Sequence, residues 1–169
     1  MTRASDHRQP ARAFPRASRV FRLMLSRPDT AALLAEAWLS LAWSRLIIFV
    51  PFRWLAPRIG VPGRETQWRE LPRETRIELE RIADAVRIAS RFAWWDCKCL
   101  VRALAAMRML KRRGIESTLY LGAGRDQTGR LAAHAWLRSG SRYITGAEER
   151  NRFTVVGMFA SGGRNLERT

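Results

Sequence analysis

Cysteine, histidine and lysine are all scarce in this chain of 169 residues. It holds two cysteines, Cys97 and Cys99, and two histidines, His7 and His134. Two cysteines this close build no disulfide scaffold, and with the histidines so far apart no Cys/His zinc site is complete. Long apolar runs are also missing. No 18-residue stretch is free of charge, which excludes a clean membrane span. Arg3, Arg8, Arg12 and Arg16 have no apolar segment between them, so the N-terminus does not read as a secretory signal. Reduced thiols make the cytoplasm the expected compartment.

Lysine is limited to Lys98 and Lys111, so 29 of the 31 basic residues are arginine; against 15 Asp and Glu the net charge is +16. GC-rich coding gives such a skew without selection for binding. The functional alternative is affinity for an acidic partner: a peptide, a nucleic acid or an anionic membrane. No zinc-finger, RNA-recognition or recognition-helix pattern is present, so nucleic acid is not the expected partner. With 47% apolar residues the chain as a whole is not disordered.

Residues 1–28 are polar and basic, and they read as an extension before a domain over 29–169. Residues 1–15 are expected to be disordered and Arg16–Ser26 to form a short basic helix. Asp29 to Val50 reads as a helix stopped by Pro51, with an apolar stripe widened by Leu39, Trp43, Ile48 and Phe49 to most of its circumference. Such a helix belongs in a core, against a partner, or on a membrane surface. Phe52–Pro62 reads as a connection. Pro72 to about Ser90 is a second helix, with Leu79, Ile82, Ala83, Val86 and Ala89 along one side.

A third helix is expected from near Asp96 to Arg113, with Leu100, Ala103, Leu104, Met107 and Leu110 as its apolar face and Gly114 after its end. The period then changes to two. Ser117–Leu121, Arg130–Arg138, Arg142–Thr145 and Arg152–Ala160 read as strands, with Gly122–Gly129 as a turn and Ser139-Gly140-Ser141 as a hairpin loop. Helices first and an antiparallel sheet after them make an α+β fold.

Cys99 falls in the first turn of the third helix, where unpaired N–H groups and the helix dipole favour a thiolate. It is in phase with Ala103 and Met107, so it faces the sheet. A free cysteine is also often a small buried hydrophobe. His134 lies mid-strand in Leu131-Ala-Ala-His-Ala-Trp-Leu137, sharing a face with Ala132 and Trp136. A helix-start cysteine followed about 35 residues later by a strand histidine is the order of papain-like and transglutaminase-like sites. Cys97 is the competing thiol, turned roughly 200° away if it lies on the same helix.

Cys99-Leu-Val-Arg-Ala-Leu-Ala, Leu110-Lys-Arg-Arg-Gly-Ile and Ala133-His-Ala-Trp-Leu137 together resemble the transglutaminase-like proteases of lasso-peptide biosynthesis, the leader peptidases of microcin J25-type pathways. The apolar segment over 33–56 is similar too, and the resemblance runs from about residue 28 to 160. It implies a papain/transglutaminase-like fold with Cys99 as nucleophile and His134 as its base, cutting the leader from a ribosomal precursor. It also implies a macrolactam synthetase that closes the ring afterwards. Relatives use a small winged-helix module to hold the leader. Residues 1–28 are too short for one, so a separate leader-binding protein is expected, docking on Arg16–Arg27 or the 31–50 helix.

Relatives commonly carry an Asp about a dozen residues after the histidine, where this chain has Ile144-Thr145-Gly146-Ala147. The third member is open among Asp126, Glu148, Glu149, a backbone carbonyl, or nothing. The Cys99 backbone N–H is one oxyanion donor, and Trp95 Nε1–H is a candidate second. Some relatives are described as ATP-dependent, yet Gly122-Ala-Gly124 is no phosphate loop and no cofactor is identifiable. Other readings are an acyltransferase on the same Cys–His pair, a basic binding module without catalysis, and a membrane-peripheral scaffold over 16–57.

Overall fold

The computed structural model describes residues 28–125 and 128–162. The expected disordered segment over 1–15, the expected helix at Arg16–Ser26, and Asp126 lie outside the described residues. The chain divides into two units at the Ala31–Ala32 boundary. The features below belong to the second unit unless a range says otherwise.

Helix α1 spans Pro28–Ile47. Its buried residues Leu33, Leu34, Ala37, Ser40, Leu41, Ser44 and Ile47 recur at helical spacing and form one stripe. Of the apolar residues that widen the stripe in sequence, Leu39 is 62% and Phe49 72% exposed, and Leu46, which helical spacing places in the stripe itself, is 70% exposed. The helix also ends three residues before Val50, in a turn held by Phe49 N–H to Leu46 O and Val50 N–H to Ile47 O. The segment expected to be a connection contains a second helix, α2, over Phe52–Ile59. Pro51 precedes it with φ already at −51°, and Leu55 and Ile59, one turn apart, are its buried anchors. A two-residue strand, β1, follows at Val61–Pro62.

Helix α3 is Arg73–Phe92, with Leu79, Ile82, Ala85, Val86 and Ala89 buried. Ala83 is not part of that buried set and instead lines a cleft. Helix α4 is Cys99–Arg112. It starts three residues later than the sequence suggests, so Asp96, Cys97 and Lys98 precede it. Val101, Ala103, Leu104, Ala105, Ala106, Met107, Met109 and Leu110 are all buried, more of the circumference than one stripe. Alanines on several sides let α4 sit between α3 and the sheet, both of which it touches. Gly114, at φ +67°, closes it in a Schellman motif: Ile115 N–H bonds to Leu110 O and Gly114 N–H to Lys111 O.

The sheet has β2 Ser117–Arg125, β3 Leu131–Ser139, β4 Arg142–Thr145 and β5 Phe153–Ser161, in the order β1-β5-β2-β3-β4, with every pair antiparallel. Strand β2 runs on through the stretch expected to be a turn, because Gly122–Arg125 pair with His134–Leu131 on one side and Gly122–Gly124 with Val155–Phe153 on the other. The α+β arrangement stands as expected, and all of the sheet but the two-residue β1 follows the helices.

Two charged side chains tie the layers together. Arg113 donates to Glu78 at 2.7 Å and to Glu36 at 2.8 and 3.1 Å, joining α4 to α3 and α1. Glu36, which interrupts the apolar run of α1, is thus a cross-brace. Arg138 is 2% exposed on β3. It donates to Tyr120 Oη, Gly140 O and Thr66 O, so its buried charge is well hydrogen-bonded.

Candidate active site

Cys99 is the first residue of α4, with Lys98 at the cap position and no side-chain cap. The N–H groups of that first turn have no partner further back in the helix, so they point out of its end. His134 sits on β3 opposite Gly122 of β2 and is 9% exposed. Its ring lies between Phe153, with centroids 5.0 Å apart, and Trp136 at 5.8 Å, both near-parallel. This stacking puts His134 and Trp136 on one face of the strand, as the alternation of the sequence predicts.

One cleft of about 1010 Å³ is lined by both Cys99 and His134. No hydrogen bond between them is present; such contacts are often long in an enzyme without substrate and tighten when the substrate binds. Glu148, Glu149 and Thr145 line the same cleft, with Arg102 and Arg152 as basic counterparts. Asp84 and Arg87, also on its wall, pair with each other at 2.6 Å.

Among the described residues the His134 ring has one polar partner: Nε2 lies 2.9 Å from Gly146 O. A carbonyl only accepts, so Nε2 carries the proton and Nδ1 keeps a free lone pair. The atom that meets the ring therefore stands twelve residues after His134, at the spacing where the resemblance leads one to expect an Asp, but it belongs to the main chain. Gly146 holds φ at +72°, and a Cβ there would come within 2.6 Å of Ala135 O and 3.1 Å of His134 Nε2. Sequence reasoning allowed a backbone carbonyl without choosing it. Its signal was the glycine itself, at the spacing of the missing Asp. The flanking Phe153 had no signal, because its approach depends on β5 pairing beside β2.

The other candidates separate. Glu148 and Glu149 reach the cleft wall but make no hydrogen bond to His134. Cys97 precedes the helix, so the roughly 200° offset inferred for it does not apply, and it does not line the cleft. Burial pushes its thiol pKa up, opposed by the nearby Arg102 charge. Trp95 packs edge-on against Trp38 at 5.1 Å and Trp94 at 5.8 Å, away from the cleft lining. Its Nε1 is buried without a hydrogen bond of good geometry, and the thiol it influences is that of Cys97. Among the described residues, no cluster of His, Cys, Asp and Glu is arranged to hold a metal ion.

A cysteine opening a helix and a strand histidine, facing one cleft across an α+β fold, are the parts of thiol-based acyl chemistry. Residues 46–158, about two thirds of the chain, match the family model described as the transglutaminase-like superfamily, and the chain belongs to that superfamily. The superfamily typically contains cysteine-based enzymes. No curated protein and no solved structure matches the chain.

Proposed function

We propose that the protein is a cysteine peptidase that removes the leader from a ribosomal precursor peptide during lasso-peptide maturation. The observation that carries the chemistry is the cleft shared by Cys99 and His134, with the ring proton engaged by Gly146 O. The lasso-peptide assignment rests on the Cys-Leu-x-Arg and Ala-His-Ala-Trp elements of the sequence.

In this reading the Cys99 thiol gives its proton to Nδ1 of His134, and Sγ attacks the scissile carbonyl carbon. The negative charge moves to the carbonyl oxygen, which the free N–H groups at the start of α4 receive. The imidazolium returns its proton to the leaving amine and the C–N bond breaks. Water, deprotonated by the same ring, then hydrolyses the thioester. The Gly146 carbonyl fixes tautomer and ring direction but brings no negative charge to the imidazolium, unlike a carboxylate. A separate leader-binding protein presents the precursor, and a macrolactam synthetase takes the freed core peptide.

The test mixes purified chain and precursor, with and without the leader-binding protein, and follows leader release by mass spectrometry. Cleavage that needs the partner and falls by at least about 10⁴-fold in Cys99→Ala is the expected result. Full activity of Cys99→Ala sinks the mechanism. An added amine that replaces water in the product would make the protein an acyltransferase on the same site.

A further inference from the structure

The outer face of α1 is covered by nothing among the described residues, and its exposed side chains from Leu39 to Phe49 are mostly apolar. Leu39 and Leu46 stand two turns apart on it, at 62% and 70% exposure, and Phe49 continues the line through the following turn at 72%. Trp54 on α2 adds a fourth large apolar group at 59%. An arginine accompanies each aromatic ring: Arg45 lies over Phe49 at 4.9 Å and Arg53 over Trp54 at 5.7 Å. We propose that this face of α1, with the α1–α2 corner, docks on an anionic membrane surface.

Two arguments favour lipid over a protein partner. A specific protein interface carries about one hydrogen bond per 100–200 Å², and the Leu, Ala and Phe side chains of this face supply none, with Arg45 and Arg53 standing beside the rings. Rings with guanidinium groups beside them suit the boundary between acyl chains and phosphates: the ring enters and the charge stays at headgroup level. The net charge of +16 adds a long-range attraction to anionic lipid. The contact is peripheral, because none of the described helices is long and apolar enough to cross a membrane. From Trp38 on α1 the aromatic surface continues through Trp95 to Trp94, which is 90% exposed and five residues before Cys99. Docking this way brings the chain leading into Cys99 close to the bilayer. The proposal does not depend on what the cleft does.

The full chain is sedimented with vesicles of phosphatidylcholine, with and without phosphatidylglycerol. Binding to the anionic vesicles alone is expected. Leu46→Asp and Phe49→Asp should each weaken it about tenfold relative to Leu131→Asp. Leu131 is 84% exposed at the start of β3 and makes the same change of charge. Brominated acyl chains should quench tryptophan emission of the unsubstituted protein, which tests insertion without any variant. Equal binding by all three variants overturns the proposal, because charge alone would then be responsible. So does failure to bind either vesicle. A dimer in solution that Leu46→Asp converts to monomer also overturns it, and assigns the face to a second copy.

Discussion

Cys97 and Cys99 stand on opposite sides of a helix boundary, and that boundary separates their chemistry. Cys97→Ala should leave leader cleavage within about threefold of the parent, since Cys97 does not line the cleft; progress curves under equal partner concentration check this. Gly146→Ala should lower kcat about 10- to 100-fold with little change in KM, the size of one misdirected hydrogen bond of about 1–3 kcal/mol. Glu148→Gln and Glu149→Gln should be silent, while His134→Ala should cost at least as much as Gly146→Ala. A carboxylate change as damaging as Gly146→Ala would move the orienting role to that side chain. The placement of Cys99 at a helix start and of His134 mid-strand was legible in the sequence because helical and strand phase are local properties. The acceptor was not, because a carbonyl leaves no letter of its own and only its glycine shows.

The brace between helices gives the elements a dependence on acid. The Arg113 hydrogen bond holds the Glu36 pKa below its ordinary 4.5, against the opposing effect of burial. A carboxyl lowered by folding stabilises the native state above its unfolded value. That contribution is lost as pH falls through the lowered one. Glu36→Gln should therefore cost about 1–2 kcal/mol at pH 7, or about 2–8 °C in Tm. It should cost progressively less below pH 4. A deficit that stays constant through thermal melts from pH 7 to pH 3 would falsify the brace. Along the chain Glu36 is no more than a charged break in an apolar run, since its partner Arg113 lies 77 residues away. Helix α2 was missed for a related reason: Pro51, Pro57 and Gly60 look like breakers until Leu55 and Ile59 are seen to be buried. Strand β2 was cut short at Gly122 because glycines weaken strand propensity, which pairing on both sides overrides.

At the scale of the whole molecule, the order of helices and strands could be read from the change of period at Gly114. The order of strands within the sheet could not, because alternation marks a strand without naming its neighbours. Strand β5 lies between β1 and β2, and β1 pairs with it through Val61 opposite Ala160 and Pro62 opposite Phe159. These partners are roughly a hundred residues apart, a loop whose closure is entropically costly and slow. The half-site of His134 and Gly146, by contrast, is confined to neighbouring strands and can form with the β3–β4 hairpin. Folding should then proceed from that hairpin outward, with the β1 clasp closing last and opening first. Hydrogen exchange would show it: the Gly63 amide, bonded to Met158 O at 2.9 Å, should exchange well before the amides of β2 and β3. Gly60→Ala should speed that exchange further, because a Cβ there would lie 2.2 Å from Ala160 O. A short strand that a small residue allows to close thus makes the edge of this fold a latch, able to open while the cleft remains assembled.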